Sequence, residues 1–160
     1  LTCIENVMSG PHCHASAGTW SAIFRTRMQK QEERKLLEIA SYRLHQIGLW
    51  EYRNELVKNL PYGKQKVIEI ARALATSPKL LVLDEPSSGL NDKETEELME
   101  FLSKLKAEGF TLLLIEHDMN VVMGISDTVT VMDMGSKIAE DVPSRIYNNS
   151  KVIEAYLGKE

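Results

Sequence analysis

The sequence lacks the features that would place it outside the ordinary folded domains. No apolar run approaches the roughly 20 residues that a membrane-crossing helix requires, and no signal-peptide pattern opens the chain. Cysteine is scarce. Cys3 and Cys13 are too few and too close for a disulfide framework, as expected of a reducing compartment. Neither sign of charge dominates: 19 Lys and Arg stand against 23 Asp and Glu, so there is no bulk pull toward nucleic acid or anionic lipid. Internal repeats and low-complexity tracts are absent. What remains is 43% hydrophobic and 26% charged, in a length of 160 residues that suffices for one real core. The expected compartment is the cytoplasm. Because it starts at Leu1, already inside "LTCIENV", the chain reads as a fragment of a longer sequence.

Two textures divide the chain. Residues 1–76 carry helical patterns with polar connections. Residues 32–49 place Leu36, Leu37, Ala40, Leu44 and Ile47 on one stripe, with Gly48 as a stop. A shorter helix is expected over 64–75, with Val67, Ile68, Ala71 and Leu74 inward, closed by Pro78. The small and polar residues of 10–31 predict a loop or irregular connection.

From Lys79 the period changes. "KLLVLDE" and "TLLLIEH" are short uninterrupted apolar runs, the mark of parallel strands buried on both faces. Between them, 92–106 reads as a helix with Leu98, Phe101, Leu102 and Leu105 inward, Asn91 and Glu94 at capping-box spacing, and Gly109 past its end. Strand, helix, strand predicts a right-handed crossover. "DTVTVMD" follows as a third strand, "SKIAED" pairs with it through Met134-Gly135, and "PSRIYNN" and "KVIEAYLG" are short helices.

The strand ends carry the chemistry. "LLVLDEPSSGLND" drives an apolar run into two adjacent acids, an uncomfortable arrangement unless something cationic is nearby. In open α/β sheets, ligands bind beyond the carboxyl ends of the parallel strands. If the strands are parallel, Asp84-Glu85 and Glu116-His117 arrive at one edge. Either pair alone is as well explained as a strand ending in solvent. Their convergence suits a divalent cation with a phosphate, and hard oxygen ligands favour Mg²⁺.

These residues resemble a known family. "LLVLDEP" is similar to the Walker B motif of ATP-binding cassette (ABC) ATPases, "SSGLND" to their D-loop, and "LLLIEHD" to their switch-histidine segment. "NLPYGKQKVIEIARALATSP" resembles the cassette signature and its helix, and "LTCIENV" and "VIEAYLG" match the flanks. "PYG", "IEHDM" and "AYLG" point to the branch serving branched-chain amino-acid importers. The resemblance implies an α/β fold: the C-terminal part of a P-loop NTPase domain, with a parallel sheet flanked by helices and a helical subdomain. Residues 1–76 would be that signature-bearing subdomain, and 77–160 the α/β part.

It also implies roles. Asp84 would hold Mg²⁺ through water, Glu85 would polarise the attacking water, and His117 would reach the γ-phosphate. Leu60, Pro61, Tyr62, Gly63, Lys64 and Gln65 would face ATP held by a second ATPase subunit, their helix N-terminus favouring an anion. Ser88, Gly89, Leu90 and Asn91 would cross to that subunit. Membrane permease subunits would be the other partners, holding the ATPase at the inner face of the membrane; nucleic acid is not expected.

Departures from the family matter. Its usual signature is Leu-Ser-Gly-Gly-Gln, whereas Pro61 removes a hydroxyl and a backbone N–H, and Lys64 offers charge instead. No G-x-x-x-x-G-K-[ST] loop is present, and Gly63-Lys64 followed by Gln65 is a false partial match. ATP and Mg²⁺ are therefore expected of the full-length family, with none bound by these residues alone. Without the phosphate-loop strand, self-association is expected. The alternative function is a non-catalytic truncated cassette that only pairs with a subunit or with itself. DNA-repair cassettes are set aside because no sustained heptads precede Asn59.

The remaining features have plainer readings. His12-Cys13-His14 lacks the second ligand cluster of a zinc site and reads as a polar loop. Met119, Met123, Met132 and Met134 read as core fillers, Trp20 and Trp50 as packing of the helical part, and Arg25, Arg27 and Lys30 as a solvated face. If the signature is not engaged, Lys64 and Lys66 are ordinary helix-surface charges.

Overall fold

A computed structural model describes residues 1–11 and 27–157. His12-Cys13-His14, Trp20 and Arg25 lie outside the described residues. The first helix, α1 (Cys3–Ser9), opens on a capping box: Thr2 accepts from the Glu5 N–H at 3.4 Å, and the Thr2 N–H donates to Glu5 Oε2 at 2.8 Å. The Thr-Cys-Ile-Glu spacing is the local signal for this cap. Helix α2 (Arg27–Gln46) begins within the stretch expected to be irregular and stops at Gly48, whose φ of 69° is the left-handed conformation of a helix terminator. Helix α3 (Tyr62–Ala75) starts two residues before the expected 64, directly after Pro61, where a missing N–H costs nothing.

These helices enclose a first core in which Cys3, Val7, Ala40, Leu44, Ile68 and Ala71 have no exposure. Burying one such leucine contributes about 1.5–3 kcal/mol. Leu37 does not join them. It is 45% exposed, because Leu36, Ala40 and Leu44, at i, i+4 and i+8, form the buried line and Leu37 lies around the helix from it. Trp50 stacks on His45 with ring centroids 4.5 Å apart, under the guanidinium of Arg53. Lys30 is exposed, as a solvated face requires.

Strands β1 (Leu80–Asp84) and β2 (Thr111–Ile115) pair in parallel, connected through α4 (Asp92–Ala107). Asn91 and Glu94 form the expected capping box on α4, and α5 (Met119–Ile125) follows β2. A second core gathers Ile70 and Leu74 of α3, Leu81 and Leu83 of β1, Leu98, Leu102 and Leu105 of α4, and Val121 and Ile125 of α5. Helix α3 thus serves both cores.

Burial of the strands on both faces is not observed. Leu80, Val82, Leu113 and Ile115 are 49–52% exposed, because among the described residues the helices cover only the face carrying Leu81 and Leu83. β3 (Val129–Asp133) and β4 (Ser136–Asp141) form the expected hairpin, but as a separate antiparallel sheet rather than an extension of the parallel pair. Its turn, Met134-Gly135, has φ of 44° and 78°, the sign pattern of a tight hairpin loop. Met134 is therefore 97% exposed and Met132 64% exposed; neither fills a core, whereas Met123 does pack beneath the hairpin. Helices α6 (Pro143–Ile146) and α7 (Ser150–Leu157) close a third cluster around Val129, Val131, Ile146 and Val152.

Candidate functional site

Parallel pairing sets Asp84 opposite Ile115, so the acids that follow β1 and β2 leave the sheet at one edge. The Glu85 N–H extends the ladder to the Ile115 carbonyl at 2.8 Å. There the backbone reverses: Glu85 has φ of 46°, a left-handed conformation costly for a residue with a β-carbon and typical of functional turns. The turn brings Glu85 Oε1 to 3.5 Å from His117 Nδ1, with both side chains more than half exposed. At that exposure the contact is a weak stability term. Its interest lies in placement.

The four acids of this edge divide by occupation. Glu116 Oε1 accepts from the Ser87 N–H at 2.8 Å and the Ser87 hydroxyl at 2.6 Å, and Glu116 Oε2 from the His117 N–H at 3.3 Å. Asp118 caps α5 by accepting from the Asn120 N–H at 2.8 Å. Asp84 and Glu85 are exposed, and Glu85 is the one in contact with His117. Among the described residues no group of three or more His, Cys, Asp or Glu side chains could hold a metal by itself. A cation here would take most of its shell from water and phosphate, the usual habit of Mg²⁺, so a lone Asp84 fits such an ion.

The signature-like residues sit on the first turn of α3. Leu60 is buried, Pro61 exposed, and Tyr62 51% exposed. Pro61 provides no side-chain cap, and the first N–H with a helical acceptor is that of Gln65, to the Pro61 carbonyl at 3.1 Å. The N–H groups of Tyr62, Gly63 and Lys64 thus stand at the dipole's positive end. Gly63 is buried because a β-carbon there would lie 2.7 Å from Glu94 Oε1 of α4.

Lys64 and Gln65 are engaged within the chain. Lys64 donates to the Tyr52 hydroxyl at 3.0 Å with its ammonium over that ring, and Gln65 Nε2 donates to the Leu60 carbonyl at 2.8 Å. The loop after β1 is folded tightly: Ser88 N–H bonds the Glu85 carbonyl, Leu90 N–H bonds the Ser87 carbonyl, and the Asn91 side chain is spent on the α4 cap. Gly89, at φ of 79°, places the Tyr62 ring 3.0 Å from where a β-carbon would stand.

The structure therefore brings Glu85 and His117 together, one residue beyond Asp84 at the end of β1, and sets the start of α3 against Gly89 of the loop that follows. A cleft of about 640 Å³ opens between the end of α2, the start of α3 and α4, walled in part by Pro61, Gly63, Lys64 and Glu94, and not by Asp84, Glu85 or His117. Two residues of this region, Tyr52 and Ser87, carry no role read from sequence, and Lys66 was read only as a surface charge. Only Lys66 carried a local signal, lying one helical turn beyond Tyr62, over whose ring its ammonium sits at 5.5 Å.

Comparison with known proteins identifies the family and the fold. The sequence pattern of the ABC transporter family matches residues 3–88. The high-affinity branched-chain amino acid transport ATP-binding protein BraF of Pseudomonas aeruginosa is 41% identical over 160 residues, covering 99% of this chain and 63% of that protein. LivG of Escherichia coli K12, which bears the same description, is 43% identical with the same coverage. A crystal structure of the ADP conformation of MJ1267, an ATP-binding cassette of an ABC transporter, matches with a TM-score of 0.81 at 31% identity, covering 99% of this chain and 63% of that one. This chain thus spans 63% of the length of these curated relatives. With more than half of its residues inside the family pattern, and the fold of an ATP-binding cassette, the chain belongs to the ABC transporter ATPase family.

Proposed function

We propose that this chain serves an importer of branched-chain amino acids as part of its ATP-hydrolysing subunit, with residues 1–76 as the signature-bearing helical part and 77–160 as the hydrolytic part. The observation that carries the reading is the 3.5 Å approach of His117 to Glu85 beside Asp84, at the shared end of β1 and β2. The names of the BraF and LivG relatives support the class of solute.

Each residue then has a task. Glu85 draws a proton from the attacking water, and His117 orients that water and the terminal phosphoryl group. Asp84 is the residue that would hold Mg²⁺. When bound with ATP, Mg²⁺ neutralises charge on the triphosphate. The Tyr62 and Gly63 N–H groups at the start of α3 bind the γ-phosphate of a nucleotide carried by a second ATPase subunit, and Ser88 to Asn91 contact that subunit. These 160 residues contain no G-x-x-x-x-G-K-[ST] segment, so the cradle for the α- and β-phosphates comes from outside them. No helix among the described residues is long and apolar enough to cross a membrane; in this reading permease subunits hold the chain at the inner face of the membrane.

ATP hydrolysis by the purified importer complex tests the reading. Glu85→Gln is expected to lower kcat by about 10²–10⁴-fold while ATP binding persists. Hydrolysis by that variant at the wild-type rate would remove Glu85 from the role.

A second reading is favoured by the exposed face of Leu80, Val82, Leu113 and Ile115. By itself the chain pairs with another copy through that face and binds no ATP. Micromolar ATP binding by the isolated 160 residues, measured by calorimetry, would contradict it.

A further inference from the structure

Lys66 was read from sequence as a surface charge, yet its ammonium donates to the Glu85 carbonyl at 3.0 Å, across 19 residues of chain. That carbonyl also accepts from the Ser88 N–H at 3.1 Å, and the Glu85 N–H is fixed to Ile115 at 2.8 Å. Glu85 holds the left-handed conformation at φ of 46°, which persists only where surrounding contacts over-determine it. The ammonium of Lys66 lies over the ring of Tyr62 at 5.5 Å, and that ring is the one seated against Gly89. The first two turns of α3 therefore grip the loop after β1 at two points, Lys66 at the Glu85 carbonyl and Tyr62 at Gly89.

We infer that Lys66 is a positioning residue for Glu85, locking the turn that aims the Glu85 carboxylate at His117 and tying that aim to the signature end of α3. The inference rests on the role proposed for Glu85. The reason is geometric. The φ and ψ of Glu85 set the direction in which its Cα–Cβ bond leaves the turn, and so the region its carboxylate can reach, and the Lys66 bond clamps the peptide unit that sets ψ. A displacement of α3's first two turns moves the acid without any change in β1.

The experiment compares the wild-type importer complex with Lys66→Met, which keeps the apolar stem over Tyr62, and Lys66→Arg, which keeps a donor. The first measurement is amide hydrogen exchange without nucleotide. Loss of one charge-assisted hydrogen bond predicts exchange at Ser88 and Leu90 faster by roughly tenfold in Lys66→Met. The Thr95 amide, bonded to Asn91 within α4, should be unchanged, and Lys66→Arg should match wild type. The second measurement is ATP hydrolysis, where Lys66→Met should lose roughly tenfold in kcat with KM unchanged, and Lys66→Arg should recover most of it. Should Lys66→Met unfold, Lys66→Leu, which also lacks a donor, takes its place with the same expectations.

Equal exchange at Ser88 and Leu90 in all variants overturns the clamp, whatever the activity does. Faster exchange with an unaltered kcat overturns the positioning role. Failure of the proposed function is read separately, as full hydrolysis by Glu85→Gln.

Discussion

Ser87 gives both its backbone N–H and its hydroxyl to one oxygen of Glu116, at 2.8 and 2.6 Å, although the two residues stand 29 positions apart. This pair of hydrogen bonds joins the loop after β1 to the segment after β2, one residue from His117. It removes Glu116 from the acids available to a ligand. It also holds the two strand ends at the separation on which the Glu85–His117 contact depends. Ser87 is only 8% exposed, so the hydroxyl is shielded from competing water.

Ser87→Ala removes one of these two bonds and leaves the backbone one in place. The expected cost is about 1.5–3 kcal/mol, the usual range for a hydrogen bond to a charged group. Chemical denaturation checks it, with an unchanged denaturant slope if only stability is affected. A loss below a few tenths would mean that the bond is replaced by water.

Gly89→Ala is expected to destabilise by about 1–2 kcal/mol from its positive φ alone. Contact with Tyr62 adds to this, because the new methyl would stand 3.0 Å from Cε1. In Tyr62→Ala the contact part should vanish while the backbone part remains. A double-mutant cycle separates them, and strict additivity would place the whole penalty on the backbone.

The β3–β4 hairpin carries a pH-sensitive contact. A hydrogen bond from Lys137 and its charge, with a further hydrogen bond from Thr130, hold the Glu140 carboxyl below the 4.5 of an unperturbed glutamate. The folded value is depressed, so the stabilisation is fully present above the unfolded pKa and is lost as pH falls through the folded one. Lys137→Met should move the Glu140 midpoint up toward 4.5, as followed by carbon-detected NMR titration. No movement would assign the shift to another group.

The uncovered sheet face has a consequence for the isolated chain. Val82 and Leu113, both about half exposed, lie on neighbouring strands as exact register partners of the ladder. Contiguous exposed apolar surface favours association. Light scattering should give a mass that rises with concentration, and Val82→Thr with Leu113→Thr, which keep strand propensity, should lower it. A wild-type chain that stays monomeric throughout would sink the second reading of function.

Much of the architecture could be read in advance because its signals are local. The capping box of Asn91 and Glu94 lies within one helical turn. The hairpin at Met134-Gly135 is set by turn residues, and β1 and β2 by uninterrupted apolar runs. Leu37 was misplaced because a helical stripe read from sequence has no fixed width until a partner helix is docked against it. Met132 and Met134 were misread for a related reason: being apolar does not decide which side of a hairpin faces the core.

By itself the sequence determined where the acids and the imidazole fall, at the ends of two strands, since backbone preference and apolar periodicity are written in near neighbours along the chain. The tertiary structure decided the rest. Which acid is spent on Ser87, which lysine reaches the Glu85 carbonyl, and which sheet face lies bare all depend on how α3, β1 and β2 pack. A hydrogen bond spanning 19 or 29 residues has no local signature, because it exists only after the register of the strands and the docking of a helix have set the two groups within about 3 Å of each other.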